Sequence, residues 1–224
     1  MNRRLTAIPT VALAIALTSA CSQERQDGEG IAPGEVKKWN DPNFELIGVG
    51  AYNYTDHDIY DVFILPADKN DIAFAAAGSG GRTAPRNAEN WRLNGAASPN
   101  LAWDYRWATP KRFKVWWFRV VDLKTYAAVG REYDKYTMKA TMPGTAWCSG
   151  ELEIKHAPVR AHGDNLLLHF YPDGHVEADV VDAEGAAPRL DIRKRDQLPV
   201  LTDRPCLKEV PNPYFGKKKP VAMY

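Results

Sequence analysis

The sequence lacks both a charge imbalance and a recognisable catalytic motif. Its 29 Lys and Arg residues against 28 Asp and Glu residues give a formal net charge of +1, which provides no broad basic field of the kind that nucleic-acid binding uses. The glycine cluster Gly78–Gly81 fits neither a nucleophile elbow, which would need glycine at Ala77, nor a dinucleotide-binding loop, which would need glycine at Thr83. We therefore expect a protein that does not bind nucleic acid, has no cofactor and is not an enzyme.

Cysteine is also scarce, because the chain contains only Cys21, Cys148 and Cys206. Two distant cysteines provide too few ligands, at too wide a spacing, for a metal site. If Cys21 carries a lipid, Cys148 and Cys206 remain as an even pair in an oxidising compartment, which predicts one disulfide. The chain-entropy model assigns about 4 kcal/mol of stabilisation to the closure of so long a loop. The alternative is two separate buried thiols.

The start of the chain has the pattern of a lipoprotein signal peptide. Two arginines precede the apolar run Leu5–Leu17, and small residues then lead to Cys21, although Thr18 stands where an aliphatic residue is usual. A buried amphipathic helix is the alternative, but residues 12–17 are apolar all round rather than along one stripe. We therefore expect a signal peptide over residues 1–20 and lipidation of Cys21.

The residues after Cys21 predict a tether to the membrane. Ser22 occupies the position where aspartate usually retains Gram-negative lipoproteins in the inner membrane, so sorting to the periplasmic face of the outer membrane is favoured. Residues 21–40 have little apolar surface to bury and predict a flexible coil that spans on the order of 25 Å. Residues 41–224 are then expected to form a single β-rich domain that the lipid anchor holds close to the bilayer.

Composition favours a mainly β fold, with strands that many turns connect. Apolar residues make up 45% of the chain, aromatic residues 11%, and glycine and proline number 16 each. We expect an antiparallel, β-sandwich-like domain with an irregular C-terminal tail, because Pro188, Pro199, Pro205, Pro211 and Pro213 prevent long regular elements there. The seven tryptophans are expected in the core, with a sugar-stacking surface as the alternative.

Alternation of apolar side chains places the first strands. Phe44–Tyr54 and Ile59–Leu65 both show period two, and the turn sequence Thr55–Asp58 between them predicts a β-hairpin. Two glycines inside the first strand mark a bend or a bulge. Arg112–Asp122 carries apolar residues on both of its faces, which predicts a central strand that is covered on both sides.

The segment Asn165–Val181 predicts a second hairpin with a defined register. A two-residue Asp173–Gly174 turn would mix apolar and charged side chains on one face, whereas a three-residue Pro172–Gly174 loop makes one face wholly apolar. The longer loop is therefore favoured, and it predicts a left-handed conformation for Gly174. The apolar face then pairs Phe170 with Val176, Leu168 with Ala178 and Leu166 with Val180, and the solvent face pairs His169 with Glu177 and Tyr171 with His175.

The histidines do not form a recognised metal pattern. His162, His169 and His175 are the candidate ligands, but the loop separates them and no carboxylate or cysteine completes a known arrangement. We expect no metal site. His57 is expected to be a solvated residue of its turn.

Two short motifs carry a resemblance to a known family. The run Gly50–Asp56, followed by Ile59, Phe63 and the glycine cluster, and the later run Leu168–Val176 resemble the opening and the closing hairpin of the envelope lipoproteins classed as domain of unknown function 3304. The resemblance covers about residues 46–181. This chain lacks the paired cysteines that members commonly carry after the glycine cluster.

The resemblance implies a function. Members of that family often accompany type VI secretion effectors, notably phospholipases, and are taken as immunity lipoproteins that bind the toxin in the periplasm. We therefore expect this chain to bind and neutralise such an effector. Tight inhibitors bury aromatic anchors in the contact, and the candidate partner-binding residues are Tyr54, Asp56, His57, Tyr60, Tyr171 and His175.

Two rival hypotheses belong to other functional classes. The first is an envelope scaffold or ligand-binding lipoprotein without a toxin partner, in which exposed aromatic side chains would bind a sugar or a peptide. The second is a hydrolase that uses Ser79 with one of the five histidines. Loss of a measured activity on substitution of Ser79 would separate the second hypothesis from the others.

Overall fold

The computed structural model describes residues 41–78, 82–84, 98–129, 141–182, 187–191, 194 and 197–215. Two mostly antiparallel β-sheets pack together, which confirms the mainly β, sandwich-like fold expected from the sequence. The predicted signal peptide, the tether with Cys21, and Ser79 lie outside the described residues. The described strands are β1 Phe44–Asn53, β2 Ile59–Pro66, β3 Ala77–Gly78, β4 Arg82–Thr83, β5 Ser98–Asp104, β6 Lys111–Val120, β7 Thr145–Ile154, β8 Asn165–Phe170 and β9 Val176–Val181, with one helix, α1 Leu123–Val129, between β6 and β7.

The first sheet, sheet A, has the strand order β5-β1-β8-β9. β1 pairs with β5 and β8 with β9 in antiparallel fashion, whereas β1 and β8 run parallel. The register of β1 against β5 shifts between Ile47 and Val49, which confirms the predicted bulge. The strands approach closely there, because a Cβ on Gly48 would lie 2.1 Å from the side-chain oxygen of Asn165, which would then have to move.

The second sheet, sheet B, has the order β3-β2-β6-β7, and β4 also pairs with β2. β6 is the central strand, and apolar residues are buried on both of its faces, as its sequence predicts. Phe113, Val115 and Trp117 pack into the core between the two sheets. The opposite face joins a second apolar cluster that comprises Phe63, Leu65, Trp116, Phe118, Val120, Met142, Trp147 and Tyr214. The four tryptophans of β5, β6 and β7 are buried, as core packing predicts.

The predicted hairpin between β1 and β2 is wrong, because the two strands belong to different sheets. The side chain of Asn53 holds the connecting segment by donating to the carbonyl oxygens of His57 at 2.7 Å and Thr83 at 3.0 Å. Its side-chain oxygen accepts a hydrogen bond from the backbone N–H of Thr55 at 3.0 Å. Residues 55–58 thus carry the chain across the sandwich. Period two shows which side chains are buried, but it does not show which strands pair.

The hairpin formed by β8 and β9 has the predicted register. Gly174 lies in the left-handed region, with φ of 86°, and the three-residue loop places the apolar face of both strands in the core. The predicted pairs are all present: Phe170 with Val176, Leu168 with Ala178, Leu166 with Val180 and His169 with Glu177.

A disulfide holds the irregular tail against sheet B. Cys148 in β7 and Cys206 in the tail are bonded, with their Cα atoms 5.6 Å apart, as the sequence predicts. The N–H of Val210 donates to the carbonyl oxygen of Trp147 at 2.9 Å, and Glu209 forms a bridge with Cys148. The tail therefore covers the outer edge of β7, which protects that edge from pairing with another chain.

Candidate functional site

The face of sheet A that points away from the core carries five aromatic side chains, which we call the outer aromatic cluster. Their rings lie in contact from Tyr52, through Tyr54 and His169, to Tyr171 and His175. Neighbouring centroids are 5.6 Å apart for Tyr52 and His169, 5.9 Å for Tyr54 and His169, 5.3 Å for Tyr54 and Tyr171 and 4.1 Å for Tyr171 and His175. β1 and β8 bring these side chains together because Tyr52 lies beside His169 in the parallel register.

The inner part of this cluster is buried, which corrects the expectation that His169 faces solvent. Both Tyr54 and His169 are 0% exposed. A later segment covers them, since the N–H of Arg189 donates to Tyr54 Oη at 3.0 Å and the Arg189 guanidinium pairs with Glu177 and Asp179 of β9. Tyr54, one of the predicted partner-binding residues, therefore lies beneath the surface of this structure.

A chain of polar contacts joins the buried pair to the tail segment. Tyr54 Oη accepts the Arg189 N–H and shares a hydrogen bond of 2.9 Å with His169 Nδ1. The other ring nitrogen of His169, Nε2, lies 3.6 Å from Asp179 Oδ2. These contacts hold the rings of Tyr54 and His169 beneath Arg189. Because both rings are buried, they position their neighbours and have no access to a substrate.

The carboxylates also govern the charge of Arg189. Partial burial lowers the pKa of its guanidinium, but hydrogen bonds to Asp179 and Tyr171 and the attraction of Asp179 and Glu177 raise that pKa above its usual value overall. Arg189 is therefore a permanent cation that ties the tail segment to β9.

The outer end of the cluster is partly exposed and fixed in shape. The rings of Tyr171 and His175 stack with an angle of 10° between their planes, and the His175 side chain is 40% exposed. The carboxylate of Asp173 forms a hydrogen bond with His175 Nδ1, and Tyr171 Oη donates to Glu177 Oε2 at 3.2 Å. Burial is the main cause that raises the pKa of the Tyr171 phenol, so this group remains a neutral donor at physiological pH.

The disulfide-held tail supports this end of the hairpin. The N–H of Leu201 donates to the carbonyl oxygen of Pro172 at 3.2 Å. A Cβ on Gly174 would lie 2.3 Å from Leu201 Cδ1 and 3.4 Å from the backbone nitrogen of Leu207, so the tail packs directly on the loop. Leu207 is 48% exposed, and it follows Cys206 of the disulfide. We call the partly exposed Tyr171 and His175, together with the exposed Leu207, the turn surface.

The remaining predicted partner-binding residues lie elsewhere. Asp56 and His57 belong to the crossover between the sheets, where Asp56 is exposed and His57 is half-buried. Burial, followed by the charge of Arg119, lowers the pKa of His57. Tyr60 packs edge-on against Phe118, with 6.1 Å between the ring centroids. The six candidates therefore do not form one surface, and only Tyr171 and His175 reach the turn surface.

Sequence reasoning missed three residues at these sites. Arg189 and Leu207 lie in the proline-rich tail, which carries no periodic pattern that could place them. Arg119 is 5% exposed in β6 and donates to the carbonyl oxygen of Pro205. Its only signal in the sequence is a charged residue on the face of β6 that otherwise carries Phe113, Val115 and Trp117.

The described part of the chain has no group of three or more His, Cys, Asp or Glu side chains placed to hold a metal ion. His162 instead pairs with Asp164, with 2.7 Å between Nδ1 and Oδ1. Among the described residues, no helix has the length and apolar character that a membrane span requires.

Comparisons with known proteins assign no relative to this chain. No family model matches it, and neither a curated protein nor a solved structure matches it.

Proposed function

We propose that this chain is a lipid-anchored protein at the periplasmic face of the outer membrane that binds and neutralises a type VI secretion effector with phospholipase activity. Two features of the sequence support the proposal. The N-terminal residues have the lipoprotein pattern that ends at Cys21, and the runs Gly50–Asp56 and Leu168–Val176 resemble a family of immunity lipoproteins. In this proposal the protein acts by occupying a surface of the effector, not by catalysis.

The turn surface provides the main structural support for the proposal. It combines a partly exposed aromatic pair, Tyr171 and His175, with the exposed apolar side chain of Leu207. Hydrogen bonds with Asp173 and Glu177 hold both rings in place, so little side-chain freedom is lost when a partner binds. Interfaces place such rigid aromatic side chains at the centre of the contact.

A second candidate function uses the same residues. A parallel stack of two rings between carboxylates also fits a small cationic or sugar ligand, as an envelope ligand-binding or scaffold lipoprotein would require. The two functions differ in what the turn surface must contact. A small ligand needs only the aromatic pair, whereas an effector protein also covers Leu207 on the tail.

The experiment co-expresses this chain with the product of the adjacent gene, which is directed to the periplasm, and scores survival of the cells. We expect the wild-type chain to protect, and the variants Tyr171→Ala, His175→Ala and Leu207→Ala to protect less. Phe74→Ala is the matched control, because Phe74 is 58% exposed and lies in the short 3-10 turn Ile72–Phe74. Absence of protection by the wild-type chain would favour the second candidate.

A further inference from the structure

The end of the sandwich where the described chain begins carries three basic side chains that lie on aromatic rings. The first residues of β1 and β6 and the last residues of β5 lie at this end, so the three basic side chains and their rings share one end of the molecule. Such pairs combine a flat apolar surface with a charged group that can reach outwards. They are Arg106 over Phe44, Arg160 over Tyr105 and Lys111 over Trp107, with 5.0, 4.4 and 5.0 Å between the charged group and the ring centroid.

This end also holds the residues that follow the predicted tether. Arg160 donates to the carbonyl oxygen of Pro42 at 2.8 Å. Arg106 pairs with Asp41 at 3.2 Å, and the N–H of Tyr105 donates to the carbonyl oxygen of Asn43 at 2.9 Å. The predicted tether would therefore join the sandwich at this end, and a coil of about 20 residues from Cys21 would place this end on average about 25 Å from the anchor.

At Arg106 the cation is more exposed than the carboxylates that pair with it. The Arg106 side chain is 54% exposed, while the carboxylates that pair with it, Asp41 and Asp104, are 25% and 11% exposed. Arg160 is exposed, and it donates to a carbonyl oxygen.

Other charged groups at this end include carboxylates: the half-buried Glu45 accepts a hydrogen bond from Tyr105 Oη at 2.5 Å, and the exposed Asp182 acts electrostatically on His162. Asp164 is 7% exposed, and its partner His162 is 55% exposed. At the side of sheet B, the exposed carboxylates of Asp68 and Glu153 each have a cation of their own, Lys69 and Arg112. Two large apolar side chains complete the end, Val159 at 61% and Leu46 at 39% exposure.

We propose that this end, formed by Leu46, Arg106, Lys111, Val159 and Arg160 and called the anchor-end surface, rests on the anionic phospholipids of the membrane. The inference rests on the proposed lipid anchor, which supplies the proximity. Basic side chains with aromatic neighbours suit the headgroup region, where the charge meets phosphate and the ring meets the interface. Exposed Val159 and Leu46 add apolar contacts at the same level.

Membrane contact at this end would fix the orientation of the whole domain. β8 runs parallel to β1, so the loop that follows β8 lies at the opposite end of sheet A. The ten residues of β1 separate the two ends by about 30 Å. The turn surface would therefore face the periplasm, where an incoming effector arrives.

The test uses the mature chain from residue 21 with Cys21→Ser, so that no lipid contributes to binding. Vesicles of phosphatidylcholine alone are compared with vesicles in which phosphatidylglycerol makes up about one third of the lipid, and binding is measured by co-sedimentation. We expect binding only to the anionic vesicles, and less binding as the salt concentration rises.

Variants identify the surface. Arg160→Gln and Lys111→Gln are each expected to lower the partition coefficient about threefold to fivefold, whereas Arg160→Lys, which keeps the charge, retains most of the binding. Lys124→Gln is the matched control, because Lys124 is exposed on α1 after the opposite end of β6. Circular dichroism confirms that each variant is folded.

Equal binding to both kinds of vesicle, no binding to either, or an equal loss with Lys124→Gln would overturn the inference. These results would leave the proposed function standing, because protection by the lipidated chain is measured in cells and requires only the anchor. Conversely, vesicle binding with the predicted variant pattern, together with no protection, would reject the effector and retain the membrane surface.

Discussion

The phenol of Tyr54 and the imidazole of His169 share a hydrogen bond of 2.9 Å although neither side chain has any exposure to solvent. The bond connects β1 to β8, and the N–H of Arg189 completes it from the tail. A buried polar pair is stable only when its donors and acceptors are matched. Tyr54, His169 and Arg189 therefore act as one unit that closes the outer face of sheet A.

Removal of the Tyr54 hydroxyl tests this unit. Tyr54→Phe leaves His169 Nδ1 and the Arg189 N–H without their partner in a buried site, so we expect a loss of about 1–3 kcal/mol in the free energy of unfolding. Tyr171→Phe is the control, because Tyr171 is half-buried and its hydrogen bonds to Glu177 and Arg189 lie at a partly exposed site where water can replace them; its cost is expected to be under about 1 kcal/mol. Urea denaturation measures both. Equal costs would contradict the role given to Tyr54.

Gly174 in the loop of the β8–β9 hairpin and Gly163 before β8 form a matched pair for substitution. Gly174 has φ of 86° and no room for a Cβ, whereas Gly163 has φ of 78° and nothing within 4 Å of a Cβ. Both alanine variants carry backbone strain of about 1 kcal/mol, and Gly174→Ala also displaces Leu201. We expect Gly174→Ala to lower the melting temperature more than Gly163→Ala does. The reverse order would show that the tail does not pack on this loop.

The disulfide supports both the stability of the sandwich and the shape of the turn surface. Its loop has a sequence separation of 58 residues, for which the chain-entropy model gives about 4 kcal/mol. Reduction is therefore expected to lower the melting temperature markedly. The double variant Cys148→Ala and Cys206→Ala should melt at the temperature of the reduced wild type, and it should not respond to reductant. An unchanged melting temperature on reduction would contradict this account.

Two histidines are expected to have pKa values on opposite sides of the ordinary value of 6.5. Burial and Arg119 lower the pKa of His57, so the unfolded chain takes up the proton first and stability falls as the pH drops below 6.5. The hydrogen bond to Asp164 raises the pKa of His162, so its contribution is complete below 6.5 and is lost as the pH rises through the raised pKa.

Nuclear magnetic resonance of the imidazole protons measures these two pKa values directly. His57→Asn should remove the resonance that titrates below 6.5, and His162→Asn the one that titrates above 6.5. The His57→Asn variant should also lose less stability on mild acidification than the wild type does. If His57 titrates above His162, the burial of the crossover segment is not as described.

The sequence predicts those parts of the fold in which a different strand register would bury charged side chains. A shift of one residue in the β8–β9 hairpin would move Glu177 and Asp179 into the core, so the pattern alone selects the observed register. The central position of β6 is predictable for the same reason, since both of its faces are apolar.

The sequence does not predict relationships between distant segments. The alternation in β1 and β2 fits a hairpin, but the strand pairing places them in different sheets, and the hydrogen bonds of Asn53 hold the segment that crosses between the sheets. His169 alternates with apolar residues, and this pattern predicts that it faces solvent. Nothing in the neighbouring sequence indicates that Arg189 covers it. Tyr171 and His175 were predictable as a cross-strand pair, whereas the packing of Leu207 beside Gly174 follows from the position of the tail, which the disulfide holds.

The most direct test of the proposed neutralisation is to titrate the purified mature chain into the proposed effector, the product of the adjacent gene, and to measure whether its phospholipase activity falls. We predict that activity falls to zero near one equivalent of this chain, and that Tyr171→Ala or Leu207→Ala requires a large excess while Phe74→Ala behaves as wild type. Activity that a saturating excess of the wild-type chain leaves unchanged would contradict neutralisation by direct binding.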